Sequence, residues 1–136
     1  MRIDELAVGM SAESEKTVSD ADVALFARVT GDLNPVHLDA EAAARSVFGG
    51  RVAHGMLTAS LISAVMAMKL PGPGTIYLSQ SLRFLAPVRI GDTVTARVEI
   101  AELLADKHRA RLITTCRNQR GEPVLDGEAI VKVPAQ

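Results

Sequence analysis

Tryptophan is absent from this chain of 136 residues, and three phenylalanines and one tyrosine bring the aromatic share to only 3%. A base-stacking platform and an aromatic sugar-binding surface both rest on exposed rings, so neither is expected. The single cysteine, Cys116, cannot close an internal disulfide, and no set of four Cys or His residues stands at zinc spacing. A reducing compartment fits this best. Excess charge of one sign is lacking as well: 15 basic residues face 16 acidic ones, for a net charge of -1. Without a cationic surplus to meet backbone phosphates, nucleic acid is not an expected partner. Nor is there a long apolar run. Residues 55–70 form the most apolar stretch, but they fall short of the roughly 20 needed to span a bilayer and are dotted with Ser and Thr. No membrane partner is expected. Residues 1–20 have no apolar h-region and no small-residue cleavage site, so a cytoplasmic location is expected. No repeat or low-complexity tract interrupts the chain. What is present, 48% hydrophobic and 23% charged residues, is the composition of a globular protein, and the length suits a single domain over residues 1–136.

The first half carries the punctuation of helices. Ser19 and Asp22 stand at capping-box spacing, Val23, Phe26, Ala27 and Thr30 recur at i, i+3, i+4 and i+7, and Gly31 supplies a stop, which predicts an amphipathic helix. Asn34-Pro35 calls for an extended or turn conformation, so residues 31–38 are expected as a loop between helices. Asp39 then caps a short helix through AEAAARS that Gly49-Gly50 ends. A third helix, over residues 56–69, is apolar on nearly every side and must be surrounded by other protein.

The second half supplies that surround. Beyond the breaker Pro71-Gly72-Pro73-Gly74, four runs alternate with period two: Ile76, Leu78, Leu82 and Phe84; Val94, Ala96, Val98 and Ile100; Ala110, Leu112, Thr114 and Cys116; Ala129, Val131 and Val133. Their opposite phase is mostly polar or charged, which suits an antiparallel sheet covered on one face. With a first strand over residues 10–18, about five antiparallel strands curl over one central apolar helix. This is an α+β architecture, the arrangement called a hot-dog fold.

Chemistry concentrates in FARVTGDLNPVH, residues 26–37. A glycine ends a helix, and the next six residues present Asp32, Asn34 and His37 with Pro35 fixing the loop between them. A carboxylate and an imidazole on one rigid loop can share work on a water molecule. Singly, each has an ordinary structural reading: Asp32 as a cap or turn former, Asn34 as the residue before proline, His37 as a partly buried core histidine. A second feature is His54-Gly55, directly ahead of the apolar helix. Glycine at a helix start exposes its backbone N–H to a ligand oxygen, and the helix dipole adds positive charge there; equally, Gly55 can serve close packing, with His54 capping or filling space.

Taken together, GDLNPVH, HGMLTASL, PGPGTIYLSQSLRFLAPVRIGDTVTARVEI and GEAIVKV resemble the MaoC-type hot-dog dehydratases, specifically the small single-domain (R)-specific enoyl-CoA hydratases, over about residues 10–133. The resemblance implies reversible syn addition of water to a trans-2-enoyl-CoA thioester, giving (R)-3-hydroxyacyl-CoA. By position it makes Asp32 and His37 the catalytic pair, Asn34 a holder of water or substrate, and the Gly55 N–H the oxyanion donor to the thioester carbonyl. Coenzyme A enters as part of the substrate, and neither a metal nor a redox cofactor is required. Supply of (R)-3-hydroxyacyl units to polyhydroxyalkanoate synthesis is one role it suggests, beside fatty-acid breakdown or a specialised pathway.

Other residues follow with less behind them. Ser63, Met66 and Leu70 on the central helix and Val131 on the last strand are candidates for lining an acyl tunnel, against the ordinary reading of core packing. Arg83, Lys107 and Arg109 are available to phosphates of coenzyme A, or are simply solvated; Tyr77 and Ser81 take the outward phase of a strand, and Cys116 takes the apolar phase of its own. Asp32, His37 and His54 contain the makings of a two-histidine, one-carboxylate metal site, but their spacing matches no recognised metal motif, so none is expected. A short open sheet must pair or cover its edges, which favours a homodimer, as do similar family members. A 3-hydroxyacyl-[acyl-carrier-protein] dehydratase, a hot-dog acyl-CoA thioesterase and a non-catalytic acyl-CoA binding module are the alternatives to the hydratase.

Overall fold

The computed structural model describes residues 1–134. Six strands, β1 (Ser11–Thr17), β2 (Ile76–Gln80), β3 (Arg83–Phe84), β4 (Thr93–Leu104), β5 (Arg109–Arg117) and β6 (Pro123–Lys132), form one antiparallel sheet in the order β1-β4-β5-β6-β2, with β3 also pairing β6. Four helices accompany it: α1 (Asp20–Thr30), α2 (Pro35–Leu38), α3 (Ala40–Ala44) and α4 (Gly55–Met68). The sheet curls over α4, which packs chiefly on β1, β4 and β5. This is the α+β hot-dog arrangement.

Period-two alternation decides the core. Val94, Ala96, Val98 and Ile100 of β4 and Ala110, Leu112, Thr114 and Cys116 of β5 are all fully buried, while the residues between them face outward. They meet Ile62, Val65 and Met66 from α4. The one polar member, Thr114, faces Gly127 across the sheet, and there the Gln80 side chain reaches in and donates to its hydroxyl at 3.0 Å. A Cβ on Gly127 would lie 1.8 Å from the Ser81 carbonyl oxygen, so only glycine lets that loop pass so close.

Three expectations are corrected. Residues 31–38 are not loop throughout: Pro35–Leu38 forms a helical turn because Asn34 Oδ1 accepts the Val36 N–H at 3.2 Å and proline suits the first helical position. The run Ile76, Leu78, Leu82 and Phe84 is split between two strands, and only Leu82 is even half-buried. Ile76 is 56% and Leu78 43% exposed because β2 is an edge strand beyond the reach of α4, with a register shift between Tyr77 and Ser79. Nor is α4 enclosed on every side. Within one chain it buries Thr58, Ala59, Ile62, Val65 and Met66 and leaves Met56 and Met68 exposed.

Helix α1 has the expected ends. The Ser19 hydroxyl accepts the Asp22 N–H at 3.1 Å, the Asp22 carboxylate accepts the Ser19 N–H at 2.9 Å, and Gly31 closes the helix in the left-handed region at φ 79°. The Ser19 N–H, helped by Lys16, holds the Asp22 carboxyl below its ordinary pKa. A lowered carboxyl pKa stabilises the fold above the unfolded-state value and ceases to do so as pH falls through the folded-state value. Asp22→Ala is therefore expected to cost about 1 kcal/mol at neutral pH, and the gap from wild type should close below pH 4. Urea unfolding of both proteins across that range measures it.

Candidate active site

Beyond Gly31 the chain is steered by short side chains that bond the backbone ahead of them. Thr30 Oγ accepts the Asp32 N–H at 3.2 Å, Asp32 Oδ1 accepts the Asn34 N–H at 3.2 Å, and Asn34 Oδ1 then caps α2. The result is a tight path from α1 to His37 that leaves Asp32 Oδ2 free of the backbone.

Residues 51–54 run alongside this path and grip it. The Val52 N–H donates to the Val36 carbonyl at 3.3 Å, Arg51 Nε to the His37 carbonyl at 2.7 Å, and His54 Nε2 to the Asp32 carbonyl at 3.0 Å. His37 Nδ1 lies 2.7 Å from the Val52 carbonyl oxygen. A carbonyl only accepts, so Nδ1 carries the proton and Nε2 keeps a bare lone pair. That lone pair stands 4.0 Å from Asp32 Oδ2, in a side chain only 12% exposed against 50% for Asp32. The grip is anchored in turn: the Ala53 N–H donates to the Val88 carbonyl at 2.7 Å, and Arg51 reaches Asp20 at 2.7 Å.

Helix α4 begins directly after this segment. His54 is its N-cap but makes no side-chain cap; Leu57 and Thr58 both donate to the His54 carbonyl, at 3.0 and 3.3 Å. Among the described residues, the Gly55 and Met56 N–H groups have no partner, and no acidic side chain occupies the first turn. Gly55 and Met56 both line a cavity of about 640 Å³, mostly apolar, together with His37, Thr58, Phe84, Val88 and Leu125 among others. The Phe84 ring lies over Gly55: a Cβ there would come within 2.7 Å of Phe84 Cε1.

The structure thus brings His37 and Gly55 onto one cavity wall, with Asp32 set against His37 and Asn34 at the start of α2. Ser63, Met66, Leu70 and Val131 do not line that cavity. Met66, Leu70 and Val131 are closed into the core and Ser63 is half-buried on α4, because the cavity opens at the first turn of the helix and not along its length. Arg83 pairs with Asp126 at 2.8 Å, and neither it nor Lys107 nor Arg109 lines the cavity. Ser81 Oγ accepts the Glu128 N–H, and the Tyr77 hydroxyl donates to Gln80 on the outer strand. Burial pushes the Cys116 thiol up to about 12, which keeps it protonated and unreactive. Sequence reasoning missed the grip of Arg51 and Val52 on His37 and the position of Phe84. A short RVAH segment carries no periodic signal, and an exposed aromatic on a two-residue strand looks like any other strand residue.

Asp32, His37 and His54 each offer an atom within 4.8 Å of the others, the nearest approach to a metal-ligand set among the described residues. The two imidazoles, however, are stacked with centroids 3.8 Å apart and planes 26° from parallel. His54 Nε2 is already spent on the Asp32 carbonyl. The set does not fit a shared ion.

The fold and this site define a hot-dog domain with a carboxylate and an imidazole close together on a loop beside a helix N-terminus. A model for a MaoC like domain matches residues 5–119, and the chain belongs to that family. It is 55% identical over 131 residues (96% of this chain and 83% of the other) to a 3-hydroxybutyryl-CoA dehydratase of Methylorubrum extorquens. It is 49% identical over 133 residues (98% and 92%) to an (R)-specific enoyl-CoA hydratase of Rhodospirillum rubrum. Among solved structures, an unliganded R-hydratase from Pseudomonas aeruginosa superimposes with a TM-score of 0.94 at 50% identity, covering 99% of this chain and 86% of that one.

The contact between Phe84 and Gly55 generates a prediction. Gly55→Ala keeps the N–H but drives its methyl group into the ring, so its cost in stability should shrink when Phe84→Ala is present in the same chain. Urea unfolding of the two single variants and the double variant is expected to give a coupling of at least about 0.5 kcal/mol. Strictly additive losses would mean that the glycine is not there for the ring.

Proposed function

We propose that this chain is an (R)-specific enoyl-CoA hydratase, a hydro-lyase that adds water reversibly to trans-2-enoyl-CoA to give (R)-3-hydroxyacyl-CoA. One observation carries the reading: the bare Nε2 of His37, on the wall of an apolar cavity that it shares with an uncapped helix N-terminus, stands 4.0 Å from the Asp32 carboxylate. A water oxygen about 2.8 Å from both atoms fits at the apex of that gap. Asp32 accepts one hydrogen of this water and orients it, and His37 Nε2 takes the other as the oxygen bonds to C3. The electrons of the C2–C3 double bond move into the thioester and place negative charge on its oxygen, beside the Gly55 and Met56 N–H groups. A donor of this kind is worth about 3 to 4 kcal/mol. Collapse of the enolate draws the proton from His37 Nε2 to C2 on the face that the water entered. The addition is syn, and His37 ends neutral.

The Asp32 charge favours the transient imidazolium. Asn34, with Oδ1 spent on the α2 cap, keeps its amide hydrogens for water or substrate. The overall step is redox-neutral, and these groups supply base, acid and anion stabilisation, so the reaction calls for neither metal nor redox cofactor. The acyl chain has an apolar bed along Val88, Val124 and Leu125. The single thiol and the absence, among the described residues, of a helix long and apolar enough to cross a membrane are compatible with work in the cytoplasm.

The sheet edges favour a homodimer. Edge strand β1, SAESEKT, is charged, while edge strand β2 exposes Ile76, Tyr77 and Leu78 beside unpaired backbone groups. An apolar edge of that kind is covered by pairing, and a second copy of β2 supplies the pair. Leu78→Lys is expected to halve the mass measured by light scattering; an unchanged mass would place the contact elsewhere.

Activity is tested with crotonyl-CoA. Loss of the enoyl-thioester absorbance with (R)-3-hydroxybutyryl-CoA as product is expected, and Asp32→Asn and His37→Ala should each lower kcat by roughly 100-fold with the fold intact. Release of free thiol would indicate a thioesterase. Reaction only with carrier-protein thioesters would indicate the carrier-linked dehydratase, and binding without change in absorbance a non-catalytic module.

A further inference from the structure

His54 is 2% exposed, and the steps above use neither of its nitrogens. Its ring lies on that of His37 at 3.8 Å between centroids, and Phe26 braces it at 4.9 Å with a 55° tilt. Its Nε2 is 3.0 Å from the Asp32 carbonyl oxygen. That oxygen only accepts, so the proton sits on Nε2, and Nδ1 is left a buried acceptor with no partner among the described residues. An orphaned nitrogen costs stability, and an apolar ring would fill the same space without that cost. Packing therefore does not account for a histidine here, and neither does helix capping, since the side chain caps nothing.

What the imidazole does achieve is contact with both members of the pair at once, one through its face and the other through its N–H. We infer that His54 is the positioning residue of the site. Its face sets the rotation of the His37 ring about Nδ1 and the Val52 carbonyl, and its Nε2–H pins the Asp32 backbone, so that together they fix the gap in which the water is held. The catalytic consequence rests on the hydratase reading; the two contacts themselves do not.

The test uses two full-length variants that divide the functions. His54→Phe keeps a flat ring against His37 and loses the donor; His54→Gln keeps a donor near the Nε2 position and loses the stack. Each is expected to lower kcat for crotonyl-CoA ten- to 100-fold with KM within about threefold, since the geometry of the reacting groups is disturbed and the acyl cavity is not. His54→Ala, losing both contacts, should be lower than either. In parallel, nitrogen-15 spectra of the wild-type imidazoles are expected to place the proton on Nε2 of His54 and on Nδ1 of His37. Folded Phe and Gln variants with kcat within twofold of wild type would overturn the inference, even if their melting temperatures fell, and so would a wild-type His54 protonated on Nδ1. A wild type inert towards enoyl thioesters but with the expected tautomers would reject the hydratase reading and leave the two contacts standing.

Discussion

The 2.7 Å bond between His37 Nδ1 and the Val52 carbonyl is the constraint on which the site depends. It settles the tautomer of the imidazole and thereby which nitrogen keeps a lone pair on the Asp32 side. A histidine held only by packing would exchange tautomers and spend part of its time with a proton on the nitrogen nearest Asp32. Here the choice is made by backbone. Val52 does not drift, because the residue beside it bonds to Val88 and Val52 itself forms a bridge with Arg89. The loop that carries Asp32 and His37 is thus tied, through a segment of four residues, to the connection between β3 and β4.

The same segment makes His54 the last residue before α4, so the bonds that fix the acid–base pair also fix the start of the helix relative to it. The loop that carries Asp32 and His37 and the first turn of α4 are both joined to this one short stretch of chain. Preorganisation of this kind costs nothing at the moment of reaction, since it is established during folding. It also explains why α4 need not be buried on every side. What matters for the site is its first turn, and the helix is held there by His54 and further along by Ile62, Val65 and Met66 against β4 and β5.

Much of this was legible in the sequence, for reasons that can be named. The alternation in β4 and β5 is nearly perfect because both strands are central and have one covered face, so every inward position is under the same pressure. The box on α1 was readable because Ser19 and Asp22 act on each other across one turn. The Asp32, Asn34 and His37 group was readable because proline and glycine fix the loop locally. Legibility failed where the determinant was distant in sequence. Ile76 and Leu78 have the pattern of a buried strand, but nothing within β2 says that it ends the sheet, with three strands between it and β1. Ser63, Met66, Leu70 and Val131 are apolar or small residues at core spacing, and no local pattern distinguishes a closed core from the wall of a cavity. The stack of His54 on His37 joins residues 17 positions apart, and Phe84 reaches Gly55 from a different part of the sheet; neither contact leaves a periodic trace.

The start of α4 differs from the other helix starts within this one chain. At α1 the orphan donors are closed by Ser19, and two acidic side chains, Asp20 and Asp22, stand in the first turn. At α3 Asp39 accepts two N–H groups by itself and Glu41 follows. At α4, the longest helix, the N-cap side chain turns away to Asp32, the first turn holds no acid, and the first two residues line a mostly apolar cavity. Gly55 and Met56 are exposed, so solvent reaches these donors in the free protein. On the proposed hydratase reading, the oxygen that becomes negative as the double bond accepts water takes the place of that solvent, and the open helix end serves it best when the barrier is highest.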